Sequence, residues 1–262
     1  MKKIKIIAHR GASAYAPENT MAAFRKAIDM EAEGIELDVH LTKDGHVVVI
    51  HDEKVDRTSN GSGMISDMTL EEVKQLDFGS WFSDEFAGEK IPTLEEVLEL
   101  LKGWSGLLNI ELKILKAGMY EGLEQKVVDL VKSYDMLENT IISSFNHYSL
   151  ATVKKIEPRM KIGLLYSSGI YEPWNYAATL NADAIHPHYF SIVPELVEIC
   201  HAHNIQVNPY TIDDPEHILY MLKAKVDGII TNVPDVAKKL RDQNIGHSVF
   251  RKMRDLSGGE RM

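Results

Sequence analysis

The chain has 262 residues, 44% of them hydrophobic and 26% charged, with no low-complexity tract: the composition of a globular protein with one large core. Its formal net charge of −10 excludes non-specific attraction to nucleic acid or anionic membranes, which needs a basic surface. A single cysteine, Cys200, excludes an internal disulfide framework, fits a reducing compartment and reads as a buried helix residue.

The opening run Met1 to Ala8 begins like a signal peptide, but Lys5 interrupts it and His9-Arg10-Gly11 ends it early. No stretch approaches the ~20 apolar residues of a membrane-spanning helix. The expectation is a cytoplasmic protein without stable membrane insertion. Beyond this run, short apolar stretches alternate with helix-length amphipathic segments, the pattern of βα units around a parallel sheet.

The first strand is read at Ile4 to Ala8, followed by a helix opened by Pro17-Glu18-Asn19-Thr20 with Asn19 or Thr20 as cap. The second is Gly34 to Val39. Then Lys43-Asp44-Gly45, between β-branched runs, marks a hairpin turn. Its return arm, Val47 to Ile50, brings His51 level with Leu37 and Asp38. That turn is too short for a parallel crossover, so residues 40–92 read as an insertion in the second βα loop. It holds a short helix at Thr69 to Leu76 and an aromatic cluster, Phe78, Trp81, Phe82 and Phe86, of which Trp81, Phe82 and Phe86 are taken as the insertion's own small core or, alternatively, as contacts for an acyl chain.

A helix beginning near Thr93 leads to the third strand, Leu107 to Lys113. The remaining strands are Thr140 to Ser144, Lys161 to Tyr166, Asp183 to His186, Ile205 to Tyr210 and Asp227 to Thr231. Helices fill the gaps, most clearly at Val193 to His203 and Pro215 to Ala224, and Pro234 to Arg241 closes the set. Eight strands and eight helices predict an α/β fold, a (β/α)8 TIM barrel over residues 1–243, with a polar tail at 244–262. Within the tail, Leu256-Ser257-Gly258-Gly259-Glu260 looks like a transporter-ATPase signature, but the chain has no phosphate-binding Gly-Lys-Ser/Thr loop to go with it.

Barrel active sites form where the strands end. His9 and Arg10 end the first strand, Glu36 and Asp38 the second, Glu111 and Lys113 the third, and His51 enters from the hairpin. Side chains two apart on a strand share a face, so Glu36 and Asp38 pair, as do Glu111 and Lys113. Three unneutralised acids at one mouth repel, and a hard divalent cation, Ca²⁺ or Mg²⁺, resolves the conflict with ligands of the right type. Lys113 has two readings, counter-ion to Glu111 or partner of Arg10 in a phosphate clamp. His9 and His51 beside a metal supply a base and an acid for phosphodiester cleavage. His186 and His188 have a structural or a pocket-lining reading. His40, His46, His147, His201, His203, His217 and His247 are placed on outward faces, helices or the tail.

In order and spacing, His9-Arg10-Gly11, Pro17-Glu18-Asn19-Thr20, Glu36-Leu37-Asp38, Asp44-Gly45, His51-Asp52 and Glu111-Leu112-Lys113 resemble the glycerophosphodiester phosphodiesterase family, a PI-PLC-like phosphodiesterase barrel. The likeness continues through Thr211 and Asp227-Gly228-Ile229-Ile230-Thr231. It implies hydrolysis of a small-molecule glycerophosphodiester to sn-glycerol 3-phosphate and an alcohol. It also implies His9 and His51 as acid and base, Glu36, Asp38 and Glu111 as metal ligands, and Arg10 and Lys113 on the phosphate. The family's usual Trp-Thr is Tyr210-Thr211 here and its frequent Thr-Asp is Thr231-Asn232, departures that bear on the glycerol or alcohol pocket. The alternatives are a lysophospholipase D-type phosphodiesterase, a non-catalytic phosphodiester-binding barrel, and a divalent-metal lyase or aldolase.

Overall fold

Strand and helix alternate along the computed structural model, which describes residues 3–114 and 121–243. The strands are β1 (Lys5–His9), β2 (Gly34–Leu41), β3 (Val47–Val49), β4 (Leu107–Leu112), β5 (Thr140–Ser144), β6 (Lys161–Tyr166), β7 (Ala184–Pro187), β8 (Gln206–Val207) and β9 (Gly228–Thr231). The helices are α1 (Met21–Asp29), α2 (Leu70–Gln75), α3 (Leu94–Leu100), α4 (Leu123–Ser133), α5 (His147–Ile156), α6 (Pro173–Thr179), α7 (Pro194–Ala202) and α8 (Pro215–Ala224), followed by a last helix over 234–243.

Among the described residues, the spatial order β8-β7-β6-β5-β4-β2-β1-β9 is parallel throughout, with β3 alone antiparallel on β2. The ring closes where the Asp227 N–H donates to the Val207 carbonyl (2.9 Å) and the Ile230 N–H to the Pro209 carbonyl (3.1 Å). This is a (β/α)8 barrel. Its last parallel strands are shorter than the sequence suggests: β8 keeps only two ladder residues, because Pro209 has no N–H to donate.

Burial on both faces explains the continuous apolar strands. One parity, including Ile6, Ala8, Ile35, Leu37, Leu108 and Ile110, packs outward against the helices in the large core, where Phe24, Leu94, Val127 and Leu150 meet it. The other parity fills the barrel interior, with Ile7, Leu107, Ile141 and Ile230 in a separate small cluster. Higher in the barrel, His186 lies across Gly163, where a Cβ would come within 2.6 Å of Nε2, so only glycine admits the imidazole.

Caps set the helix starts. Thr20 accepts from the Ala23 N–H, and Thr69 and Thr93 form reciprocal capping boxes with Glu72 and Glu96. The hairpin turn uses Gly45 at φ 80°, a left-handed conformation that glycine adopts without steric cost. β3 then pairs Val49 with Val39 and Val47 with Leu41, and the Ile50 N–H donates to the Asp38 carbonyl (3.0 Å).

Behind the hairpin the insertion has its own core of Val48, Ile50, Val55, Ile65, Val73, Phe78 and Ile91. Trp81, Phe82 and Phe86, expected to form it, are not part of it, and of the aromatic cluster only Phe78 is. Aliphatic side chains fill that space, so Trp81, Phe82 and Phe86 stack edge to face along its margin, and Trp81 is 39% exposed. The segment 244–262, with its ATPase-like signature, lies outside the described residues. Cys200 is buried on α7, as expected.

Candidate active site

Parallel register brings the strand-end residues to one height. His9 pairs with Glu36 across β1 and β2, and Asp38 with Glu111 across β2 and β4. Glu36, Asp38 and Glu111 are buried, and an oxygen of each lies within 4.8 Å of the others. Lys113 Nζ donates to Glu111 Oε1 (2.7 Å) and stands 3.4 Å from Asp38 Oδ1. Arg10 reaches the same centre from the other side, its N–H donating to Glu36 Oε2 (2.9 Å) and its Nε lying 3.4 Å from Asp38 Oδ2. Of the two readings of Lys113, the ion pair with Glu111 is therefore present.

The charges are in conflict. Burial, with Asp38 and Glu111 beside it, holds the Glu36 carboxyl well above the usual carboxylate range. Burial also pushes Glu111 up to about 7, against the pull of Lys113. Burial opposes ionisation of Asp38 as well, but Lys113 and Arg10 outweigh it and hold this group well below its ordinary value. Among the described residues, Asp38 Oδ1 is nonetheless buried without a hydrogen-bond donor. Three clustered carboxylates, one with an orphaned oxygen, fit a hard divalent cation held by oxygen ligands.

His9 is held from behind. Its Nδ1 donates to Asn232 Oδ1 (2.7 Å), and the Asn232 amide is oriented because its Nδ2 donates to Asp213 Oδ2 (2.6 Å). Nε2 therefore carries the lone pair and faces the acids, 3.9 Å from Glu36 Oε2. Burial, helped by Arg10, pushes His9 down to about 4, so it is neutral at physiological pH. His51 enters from the hairpin with Nδ1 donating to Asp52 Oδ1 (2.6 Å), which leaves Nε2, among the described residues, as the ring nitrogen turned to the site. Burial lowers its pKa against the pull of Asp38.

Every residue singled out for the site is thus at one barrel mouth, beside a cavity of about 450 Å³ lined by His9, Arg10, Ser13, Glu18, Thr211 and Asn232. Side chains with no predicted site role complete the arrangement. Asn19 Nδ2 donates to Asp38 Oδ2 (2.8 Å), Ser13 Oγ to Asn232 Oδ1 (2.7 Å), and Glu18 accepts from Arg10 Nη1 (2.7 Å). Asn232 is read from the sequence as a strand-end residue and as a departure from the family's frequent Thr-Asp that bears on the substrate pocket, not as the support of His9.

His40, expected on an outward face, is buried. The alternation of β2 continues past Asp38, so His40 shares the acids' face, and its Nε2 donates to the His51 carbonyl (3.0 Å). His186 has the structural role, deep in the barrel with Asn208 Nδ2 donating to its Nε2 (3.1 Å). His188 stacks on Tyr189 at the rim. His147, His201 and His203 make contacts with Tyr176, Asp227 and Trp174 away from the acids, and His46 and His217 lie near Asp44 and Tyr189. His247 lies outside the described residues. Tyr210 packs edge to face on Phe145 and donates its hydroxyl to the Tyr166 carbonyl (3.2 Å).

Known proteins share this arrangement of strands. The chain is 54% identical over 235 residues to a glycerophosphodiester phosphodiesterase of Caldanaerobacter subterraneus subsp. tengcongensis, covering 89% of this chain and 96% of the relative. It is 41% identical to a glycerophosphodiester phosphodiesterase of Bacillus altitudinis, covering 91% and 98%. Among solved structures, an Oleispira antarctica phosphodiesterase in complex with the product sn-glycerol-3-phosphate superposes with a TM-score of 0.83 at 32% identity, covering 91% of this chain and 96% of that one. The model of the glycerophosphoryl diester phosphodiesterase family matches residues 9–236, and the chain belongs to that family.

Proposed function

We propose that the chain hydrolyses glycerophosphodiesters to sn-glycerol 3-phosphate and an alcohol, as a phosphoric diester hydrolase. The observation that carries this reading is the convergence of two histidines, three acids and two cations at one barrel mouth in a member of this family. The product complex of the Oleispira antarctica neighbour supports the same substrate class.

Glu36, Asp38 and Glu111 would hold one divalent cation, Ca²⁺ or Mg²⁺. When bound, such an ion neutralises negative charge on the non-bridging phosphate oxygens. The chain's own groups do the rest. Arg10 and Lys113, placed on opposite sides of Asp38, orient the phosphate. His9 and His51 each present Nε2 to the site because Nδ1 is committed to Asn232 and Asp52. One imidazole takes the proton of the attacking hydroxyl as the new P–O bond forms. The other gives a proton to the departing alkoxide as the old P–O bond breaks. Residues 1–243, insertion included, form the catalytic unit, and the lone buried Cys200 fits the cytoplasm as its compartment.

The test is release of glycerol 3-phosphate from glycerophosphocholine, glycerophosphoethanolamine, glycerophosphoglycerol and lysophospholipid, with metals varied after chelation. Release abolished by chelator and restored by Ca²⁺ or Mg²⁺ is expected. No release from any of these diesters would overturn the reading. Glu111→Gln should weaken metal binding measured by calorimetry, and unchanged affinity would remove Glu111 from the ligand set.

A further inference from the structure

The insertion carries a residue that joins the supports of His51 and Arg10. Arg57 lies in the loop after His51-Asp52, and its flanks are fixed, with Val55 and Thr58 buried and Ser59 Oγ donating to the Val55 carbonyl (2.8 Å). Its guanidinium spans two carboxylates from different parts of the chain. Nε donates to Asp52 Oδ2 (2.8 Å) and Nη2 to Asp52 Oδ1 (3.2 Å). Nη1 donates to Glu18 Oε2 (2.9 Å) and Nη2 also to Glu18 Oε1 (2.7 Å). Each carboxylate in turn holds a site residue: Asp52 Oδ1 accepts from Nδ1 of His51 (2.6 Å), and Glu18 Oε1 from Nη1 of Arg10 (2.7 Å).

We propose that Arg57 is a positioning residue for the reaction, fixing His51 and Arg10 relative to each other by bridging Asp52 and Glu18 between the insertion and the β1–α1 loop. This rests on the phosphodiesterase reading above. The side chain is 45% exposed, so its effect comes from fork geometry within a charge network rather than from Coulombic strength. The planar fork reaches both carboxylates at once, and a lysine ammonium is a point charge without that geometry.

Charge balance gives a second consequence. Glu18 and Asp52 are matched by Arg10 and Arg57. Without Arg57, Glu18 would neutralise Arg10 alone, and Arg10 would offer the phosphate less net charge. Asp52 would lose its outer donors, leaving the His51 ring free to rotate. Both carboxylates are held below their ordinary range, Asp52 at about 2, where burial is outweighed by Arg57 and His51.

The experiment assays Arg57→Ala and Arg57→Lys on glycerophosphocholine, with and without millimolar guanidinium chloride and against sodium chloride of equal ionic strength. Proton NMR follows the His51 Nδ1–H resonance, and thermal unfolding is recorded for each variant. We expect R57A to lose roughly 10²-fold in kcat, the scale of a displaced catalytic group, with KM also raised. Guanidinium should restore part of that loss while sodium chloride does not, and R57K should remain impaired. The Nδ1–H resonance should broaden in R57A and return with guanidinium. Near-wild-type kcat in R57A overturns the proposal, and so does a loss that guanidinium leaves unrepaired while the resonance is unchanged. If wild type releases no glycerol 3-phosphate, the activity reading fails, and the resonance in wild type and R57A still decides whether Arg57 positions His51.

Discussion

Asn232 lies 223 residues from His9 in sequence and 2.7 Å from its Nδ1. The contact decides which nitrogen of His9 faces the site, so Asn232→Ala should lower kcat with little change in KM, by roughly the 10-fold to 10²-fold typical of lost outer-shell support. Steady-state glycerol 3-phosphate release measures it, and a purely raised KM would contradict the role. His9→Ala or His51→Ala should cost about 10²–10⁴ in turnover with circular dichroism unchanged, the range for losing an acid or base. Near-normal activity in either variant removes it from the chemistry. Glu36, Asp38, Glu111 and the histidines were legible in the sequence because ionisable residues at apolar strand ends stand out. Asn232, Asn19 and Arg57 were not, because their roles depend on partners that only the closed barrel supplies. His40 was misplaced although the period of two along β2 puts it on the face of Glu36 and Asp38.

The hairpin and insertion act as one element. β3 follows β2 through a turn too short for a barrel crossover, which made the return arm readable from Asp44-Gly45 and the β-branched runs beside it. The insertion's interior was less readable, since clustered aromatics suggested a core that the structure builds from Val48, Ile50, Val55, Ile65, Val73, Phe78 and Ile91. Arg57 and His51 both depend on that core, so loosening it should cost activity before the barrel unfolds. Ile65 is fully buried there, and Ile65→Ala should destabilise the insertion by about 2–5 kcal/mol. In a urea titration, the activity of this variant should fall at lower denaturant than the far-ultraviolet signal of the barrel. Coincident transitions would mean that insertion and barrel unfold together.

At the scale of the whole molecule, the barrel was legible because βα alternation, outward apolar faces and strand-end charges all agree. The polar layer around His186 was legible only in part: its strand-end position offered a structural and a pocket-lining reading, and the partners that decide between them meet only in the closed barrel. His186 is its clearest member: it sits over Gly163, accepts from Asn208, and has Nδ1 buried without a partner among the described residues. Burial pushes its pKa down to about 3, from an ordinary value of 6.5. Between these values the unfolded chain binds a proton that the folded barrel refuses. Its contribution is therefore fully present above the unfolded value and is lost as pH falls through the window, at about 1.4 kcal/mol per pH unit for one proton. His186→Gln preserves a polar partner for Asn208 and removes the titration. The variant should therefore lose less stability than wild type between pH ~6 and ~4, read as urea midpoints across that range with the same metal present. Parallel slopes in the two proteins would mean that the folded barrel accommodates imidazolium at this position.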